Sequence, residues 1–180
     1  MGKIVAIVGM CGSGKSVATD IFEQELGYKK VYFGGVTIEK VKEAGLEVNE
    51  ANERMIREGL RKDFGMGAYA KLSLPKILEY SKESDVIIDG LYSWDEYKIL
   101  KDELDNIKMI CIIADKDIRY SRLSEREVRP LTNEQAMNRD IAEIENSAKG
   151  GPISYADYYI LNNGTLEEYK TRLYEIIEKL

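Results

Sequence analysis

One short segment limits what this chain can fold into. Gly9-Met10-Cys11-Gly12-Ser13-Gly14-Lys15-Ser16 has the form G-x-x-x-x-G-K-S, and an apolar run over Lys3–Val8 leads directly into it. A strand that breaks into a glycine turn and restarts as a helix is the setting in which this pattern binds phosphate. Its glycines let successive backbone N–H groups converge on an anion without a Cβ in the way. The helix N-terminus adds partial positive charge. The expected ligand is ATP with magnesium, cradled by Gly12, Ser13, Gly14, Lys15, Ser16 and Val17. Lys15 is expected to reach the β- and γ-phosphates, and Ser16 to ligand the magnesium.

The rest of the chain repeats the alternation. Further apolar strands are expected over Lys30–Phe33, Asp85–Ile88, Lys108–Ile113 and Tyr158–Leu161, with helices from about Lys15 to Glu25 and from Leu166 to Lys179. Strands apolar throughout belong in a parallel sheet covered on both faces. The pattern predicts a single α/β domain over residues 1–180, a three-layer sandwich around a five-stranded parallel sheet. Residues 36–82 are expected to form a helical acceptor-binding insertion, and residues 119–140 a short arginine-rich lid.

Other charged residues extend the phosphate site. Asp89 ends an apolar strand, where open α/β sheets bind ligands, and is expected to serve magnesium or orient an attacking hydroxyl. Phosphoryl transfer needs cations around the moving group. Arg119, Arg122, Arg126 and Arg129 recur every three or four residues, and the first three share a face if the helix runs to Arg126. Of these, Arg122 and Arg126, together with Arg139, are the candidate catalytic cations. Arg54, Arg57 and Arg61 share another helical face, and Arg61, nearest the glycines of Phe64-Gly65-Met66-Gly67-Ala68, is the candidate acceptor contact. Gly34 and Gly35 are expected on the acceptor side, and Tyr92 and Trp94 are candidates to stack on an acceptor base.

Composition narrows the function class. A net charge of -6 argues against a nucleic-acid-wrapping protein. No stretch approaches the roughly 20 apolar residues of a membrane span, and no signal-peptide pattern opens the chain. A cytoplasmic protein, monomer or homodimer, with a small-molecule substrate is expected. The chain contains no histidine, so acid–base work falls to other side chains. Cys11 and Cys111 are too few and too far apart for a disulfide framework. Cys11, beside a helix N-terminus, could be oxidised, or could simply be a small residue the loop tolerates.

Taken together these motifs resemble the nucleoside-monophosphate-kinase-like P-loop kinases, and within them dephospho-CoA kinase and kinase-related proteins near it. The resemblance spans nearly the whole chain and rests on Gly9–Ser16, on Leu131-Thr132-Asn133-Glu134-Gln135-Ala136 leading to Arg139, and on Ala156–Glu168. It implies that Asn163 and Gly164 lie near the ATP base, and that Arg122 and Arg126 begin the lid. One departure stands out. Dephospho-CoA kinases place an aspartate at the end of the second strand, whereas this sequence has Tyr32-Phe33-Gly34-Gly35. Transfer to that family's acceptor then requires Asp89 to take the aspartate's part. The alternative is a nucleotide-dependent regulatory ATPase with no small-molecule acceptor.

Overall fold

The sequence alternates its apolar residues between two covered faces, and the sheet follows from that. In the computed structural model, which describes residues Met1–Leu180, the strands are β1 (Ile4–Val8), β2 (Lys29–Tyr32), β3 (Val86–Asp89), β4 (Ile107–Ile113) and β5 (Tyr158–Leu161). All are parallel, in the order β2-β3-β1-β4-β5. Ile4, Ala6 and Val8 face one layer, with Val86, Ile88, Ile77 and Leu100; Val5 and Ile7 face the other, with Ile87, Ile110, Phe22 and Leu173. Full burial of each large side chain contributes about 1.5–3 kcal/mol.

The first layer is built from α2 (Phe33–Glu43), α3 (Glu50–Phe64), α4 (Ala68–Ser81) and α5 (Trp94–Glu103). Of the three helices between β2 and β3, α4 packs most extensively on those strands. The second layer contains α1 (Lys15–Asp20) and α9 (Leu166–Ile177), while α6 (Lys116–Ser124), α7 (Asn133–Glu145) and the short α8 (Gly150–Ser154) close the end at which the strands terminate. The order reverses at β1, so the loop after Val8 opens at the switch point where ligands of such sheets bind. No helix is long and apolar enough to cross a membrane.

Three boundaries differ from those expected. The helix after the glycine loop loosens into a π-helical turn over Ile21–Glu25. β2 stops at Tyr32 because Phe33 is buried in the core and begins α2, so Gly34 and Gly35 lie in a first helical turn and not in a strand-end loop. α6 ends at Ser124, and the loop up to Pro130, which has no N–H to give a helix, carries Arg129 at a left-handed φ of 52°. Arg126 therefore does not share a helical face with Arg119 and Arg122. Removing the fully buried Leu100 side chain (Leu100→Ala) should cost about 2–5 kcal/mol. In urea the unfolding midpoint should fall with the slope unchanged.

Candidate phosphate site and acceptor cleft

Gly9–Ser16 wraps from the end of β1 to the start of α1, and its carbonyls are engaged from behind. The Lys15 ammonium donates to Met10 O at 2.9 Å, Arg119 Nη1 to Cys11 O at 2.9 Å, Asn162 Nδ2 to Ser13 O at 2.9 Å and the Tyr169 hydroxyl to Gly14 O at 3.0 Å. With these carbonyls held, the loop's N–H groups are left to face an anion, apart from Ser13 N–H, which donates to Met10 O at 3.2 Å, and Cys11 N–H, which donates to Glu143. Gly14 (φ 103°) must be glycine twice over: the left-handed backbone disfavours a side chain, and a Cβ would strike the Asn162 amide. Ser13 is buried and Ser16 is exposed at the head of α1.

Arg119 has a different task from the one its spacing suggested. Its guanidinium makes two parallel bonds to Asp140 (2.9 and 2.6 Å), both groups nearly buried, and Tyr120 adds a third at 3.2 Å. This fork fixes α6 to α7 and props the Cys11 carbonyl. Cys11 packs among Tyr120, Leu123 and Ala136, as a small loop residue would. Burial in β4 raises the Cys111 thiol to about 11. Asn163 and Gly164 occupy the turn between β5 and α9, where Asn163 Oδ1 accepts the Asp115 N–H at 2.9 Å. Arg122 Nη2 reaches Asn162 Oδ1 at 3.5 Å, while its buried Nη1 has no partner. The Thr132 and Thr165 segments singled out in the sequence are reciprocal capping boxes with Gln135 and Glu168.

The site is cationic at its centre. Burial, reinforced by Lys149, lowers Lys15 to about 8 against the opposing pull of Glu143. Glu143 accepts the Cys11 N–H at 3.3 Å, Lys149 Nζ at 2.7 Å and Arg139 Nε at 3.4 Å. Burial opposes its charge, but Lys149 holds its carboxyl below the ordinary carboxylate value. Asp89 is half-buried at the end of β3. Burial raises its carboxyl, against the attraction of Lys30 and Lys15, and Lys30 stands 4.0 Å away. No cluster of three His, Cys, Asp or Glu side chains could hold a metal ion alone. The Ser16 hydroxyl and Asp89 suit magnesium, which usually takes one or two protein oxygens and completes its shell with phosphate and water.

Beside the loop opens a cleft of about 800 Å3, walled by α2 and α3 on one side and α7 on the other. Gly34, Arg61, Tyr92 and Arg139 line it, with Arg57, Arg129 and Glu143; Gly35 and Arg126 do not. Arg126 is exposed and makes no ion pair, while Gly35 turns away with α2. Arg54 pairs with Glu58 and Arg57 with Glu50 and Glu53, whereas Arg61 has no carboxylate partner and its buried Nε is unsatisfied. Tyr92 lines the cleft, but Lys149 Nζ lies 4.4 Å from its ring centre, so that face already has a cation on it. Trp94 is instead packed between Tyr97 and Tyr155, each 5.2 Å away. Sequence reasoning missed Asp140, Glu143, Lys149, Asn162 and Tyr169. Asn162, beside Asn163, was the nearest to being found.

Two outcomes are expected. Arg119→Met leaves the buried Asp140 charge with only the Tyr120 hydroxyl, and should lower stability by about 3–5 kcal/mol in denaturant titration. Nucleotide affinity should also fall with pH, because Lys15 binds phosphate as a cation and loses its proton as pH rises through about 8. Between pH 7.5 and 9.5 calorimetry should show a loss of about tenfold, for which roughly one pKa unit of differential interaction suffices. Lys15→Met should bind weakly with no such slope.

Comparison with known proteins bears on the family and the fold. Residues 5–145 match a family model described as an AAA domain. A UPF0200 protein of Sulfurisphaera tokodaii is 34% identical over 182 residues, covering 99% of this chain and 97% of that relative. Among solved structures, TT1252 from Thermus thermophilus superposes with a TM-score of 0.68 at 18% identity, covering 99% of this chain and 98% of that one. The shikimate kinase of Bacteroides thetaiotaomicron does so with 0.61 at 17%, covering 98% of each. At these identities the structures speak for the fold, a P-loop nucleotide-binding fold of the kinase-like kind. By sequence, the chain belongs to the AAA domain family and to the UPF0200 proteins.

Proposed function

We propose that the chain is an ATP- and magnesium-dependent phosphotransferase whose acceptor is a small nucleotide-like molecule, of the dephospho-CoA or nucleoside-monophosphate type. The observation that carries this reading is the continuity of the phosphate loop with the cleft: Glu143 both lines the cleft and accepts a loop N–H. An acceptor held there would be within reach of a phosphoryl group held on the loop. The unpaired Arg61 in its wall favours an anionic acceptor.

In this reading Lys15 and the amides of Gly12–Val17 hold and orient the triphosphate, with Asn163 and Gly164 near its base. Magnesium, bound by Ser16 and Asp89, would neutralise charge between the phosphates. Arg122 and Arg139 supply positive charge where it develops during transfer. Arg126, on the solvent side of its loop, would need that loop to close before joining them. Asp89 would also receive the acceptor's proton, although it does not itself line the cleft. It pairs in register with Tyr32 across the sheet, and Tyr32 and Gly90 both line the cleft. It thereby stands beside the position where dephospho-CoA kinases carry their aspartate.

The test is ADP release from ATP and magnesium with dephospho-CoA and a panel of nucleoside and deoxynucleoside monophosphates, with products identified by mass. One acceptor should stimulate strongly, and Lys15→Ala should abolish the effect. Asp89→Asn should lower turnover by about 10²–10⁴-fold. Arg61→Ala should raise the acceptor KM more than it lowers kcat. The Tyr32 end of β2, which offers no carboxylate, favours a second reading, a nucleotide-dependent switch. A flat panel over a slow background rate would overturn the kinase in its favour.

A further inference from the structure

Glu143 and Lys149 have no role in the mechanism above, yet they lie at its centre. Glu143 sits in the last turn of α7. Ala148, at a left-handed φ of 49°, folds the chain back so that the Lys149 N–H donates to Glu143 O at 3.3 Å. The side chains then meet at 2.7 Å, with Lys149 only 2% exposed. A lysine so deeply buried is rare and must have its charge compensated. Here one carboxylate and the face of Tyr92 provide the compensation. The carboxylate also accepts from Arg139 and from the Cys11 amide of the phosphate loop. A loop N–H and two side-chain cations converging on one anion are the parts of a phosphate site.

The position within the loop identifies which phosphate. The amides of Gly14, Lys15 and Ser16 lie at the head of α1 and suit the inner phosphates. Cys11 lies nearer the strand, and Glu143 and Arg139, which approach it from α7, both line the cleft. A phosphoryl group passing in line from loop to cleft must cross this point. Two anions cannot share the Cys11 N–H, so whichever binds there excludes the other.

We propose that the Glu143 carboxylate holds the place of the terminal phosphoryl group, and that a nucleoside triphosphate displaces it and takes Lys149 as a direct phosphate contact. A nucleoside diphosphate, lacking that group, leaves the Glu143–Lys149 pair intact. The exchange is of ion-pair partners only: no bond is made or broken, and Glu143 turns toward solvent. The loop thus tells a triphosphate from a diphosphate through this pair. The identity of the ligand rests on the phosphotransferase reading; the exchange itself does not require an acceptor.

Calorimetric binding of ATP and of ADP, each with magnesium, to the full chain tests it. Glu143→Gln keeps the shape and removes the competing charge, so ATP should bind about tenfold more tightly while ADP affinity barely changes. A charge-assisted hydrogen bond corresponds to about 10–100-fold in affinity, and Lys149→Met should lose that much for ATP and little for ADP. Lys149→Arg should restore most of the loss. Equal effects on ATP and ADP, or weaker ATP binding in Glu143→Gln, would overturn the proposal and leave the pair as a structural brace. Should Lys149→Met fail to fold, Glu143→Gln decides alone. ATP binding without stimulation by any acceptor would remove the kinase and leave this comparison standing.

Discussion

A peptide loop can offer its N–H groups to an anion only if something else takes its carbonyls. Here Met10, Cys11, Ser13 and Gly14 each give a carbonyl to a side chain, and the four donors come from α1, α6, the end of β5 and α9. Segments as distant as Asn162 and Tyr169 are therefore part of the phosphate loop in every physical sense. The parallel sheet exists, for this purpose, to bring β1, β4 and β5 to a common end at which those donors converge. The Arg119–Asp140 fork belongs to the same scaffold. It costs the desolvation of two charges, and what it gives in exchange is a fixed angle between α6 and α7 beside the loop.

The sheet and the loop were legible because their signals are local. A G-x-x-x-x-G-K-S segment after an apolar strand needs no distant information, and Tyr158–Leu161 announces itself by its own composition. Arginine roles were not legible in the same way. Arg119, Arg122 and Arg126 look alike in sequence, yet one is locked to Asp140, one is half-buried against Asn162 and one is in solvent. What separates them is the end of α6 at Ser124 and partners 20 or more residues away. Spacing shows which side chains could share a face; it cannot show which carboxylates the fold will bring to them. Glu143 and Lys149 were invisible for that reason, since each reads alone as an ordinary surface charge.

The α2–α3 wall shows the same division. Arg54 and Arg57 satisfy the expectation for charges on a wet helix, each paired with a glutamate four or seven residues away. Arg61 differs in having no carboxylate partner, and its Nε is buried without one. An unsatisfied buried guanidinium nitrogen is costly unless a ligand completes it. Glu58 lies three residues before Arg61 but pairs with Arg54, so the sequence could not show that Arg61 is left without an acid, nor that Ser147 lies close to it.

A chain of net charge -6 nevertheless lines one cleft with Arg61 and Arg139, sets Lys149 behind its lining residues Tyr92 and Glu143, and places Lys15 in the adjoining loop. Burial is the main reason the Lys15 proton is easier to lose, and repulsion from Lys149 adds to it. Glu143 relieves part of that repulsion, and a phosphate, with more charge and more acceptor oxygens, would relieve more. The tension among the cations is thus stored before any ligand arrives and released when one binds. A site already charged and oriented needs no reorganisation at the moment of transfer, which is the main way a protein lowers the barrier to moving a phosphoryl group.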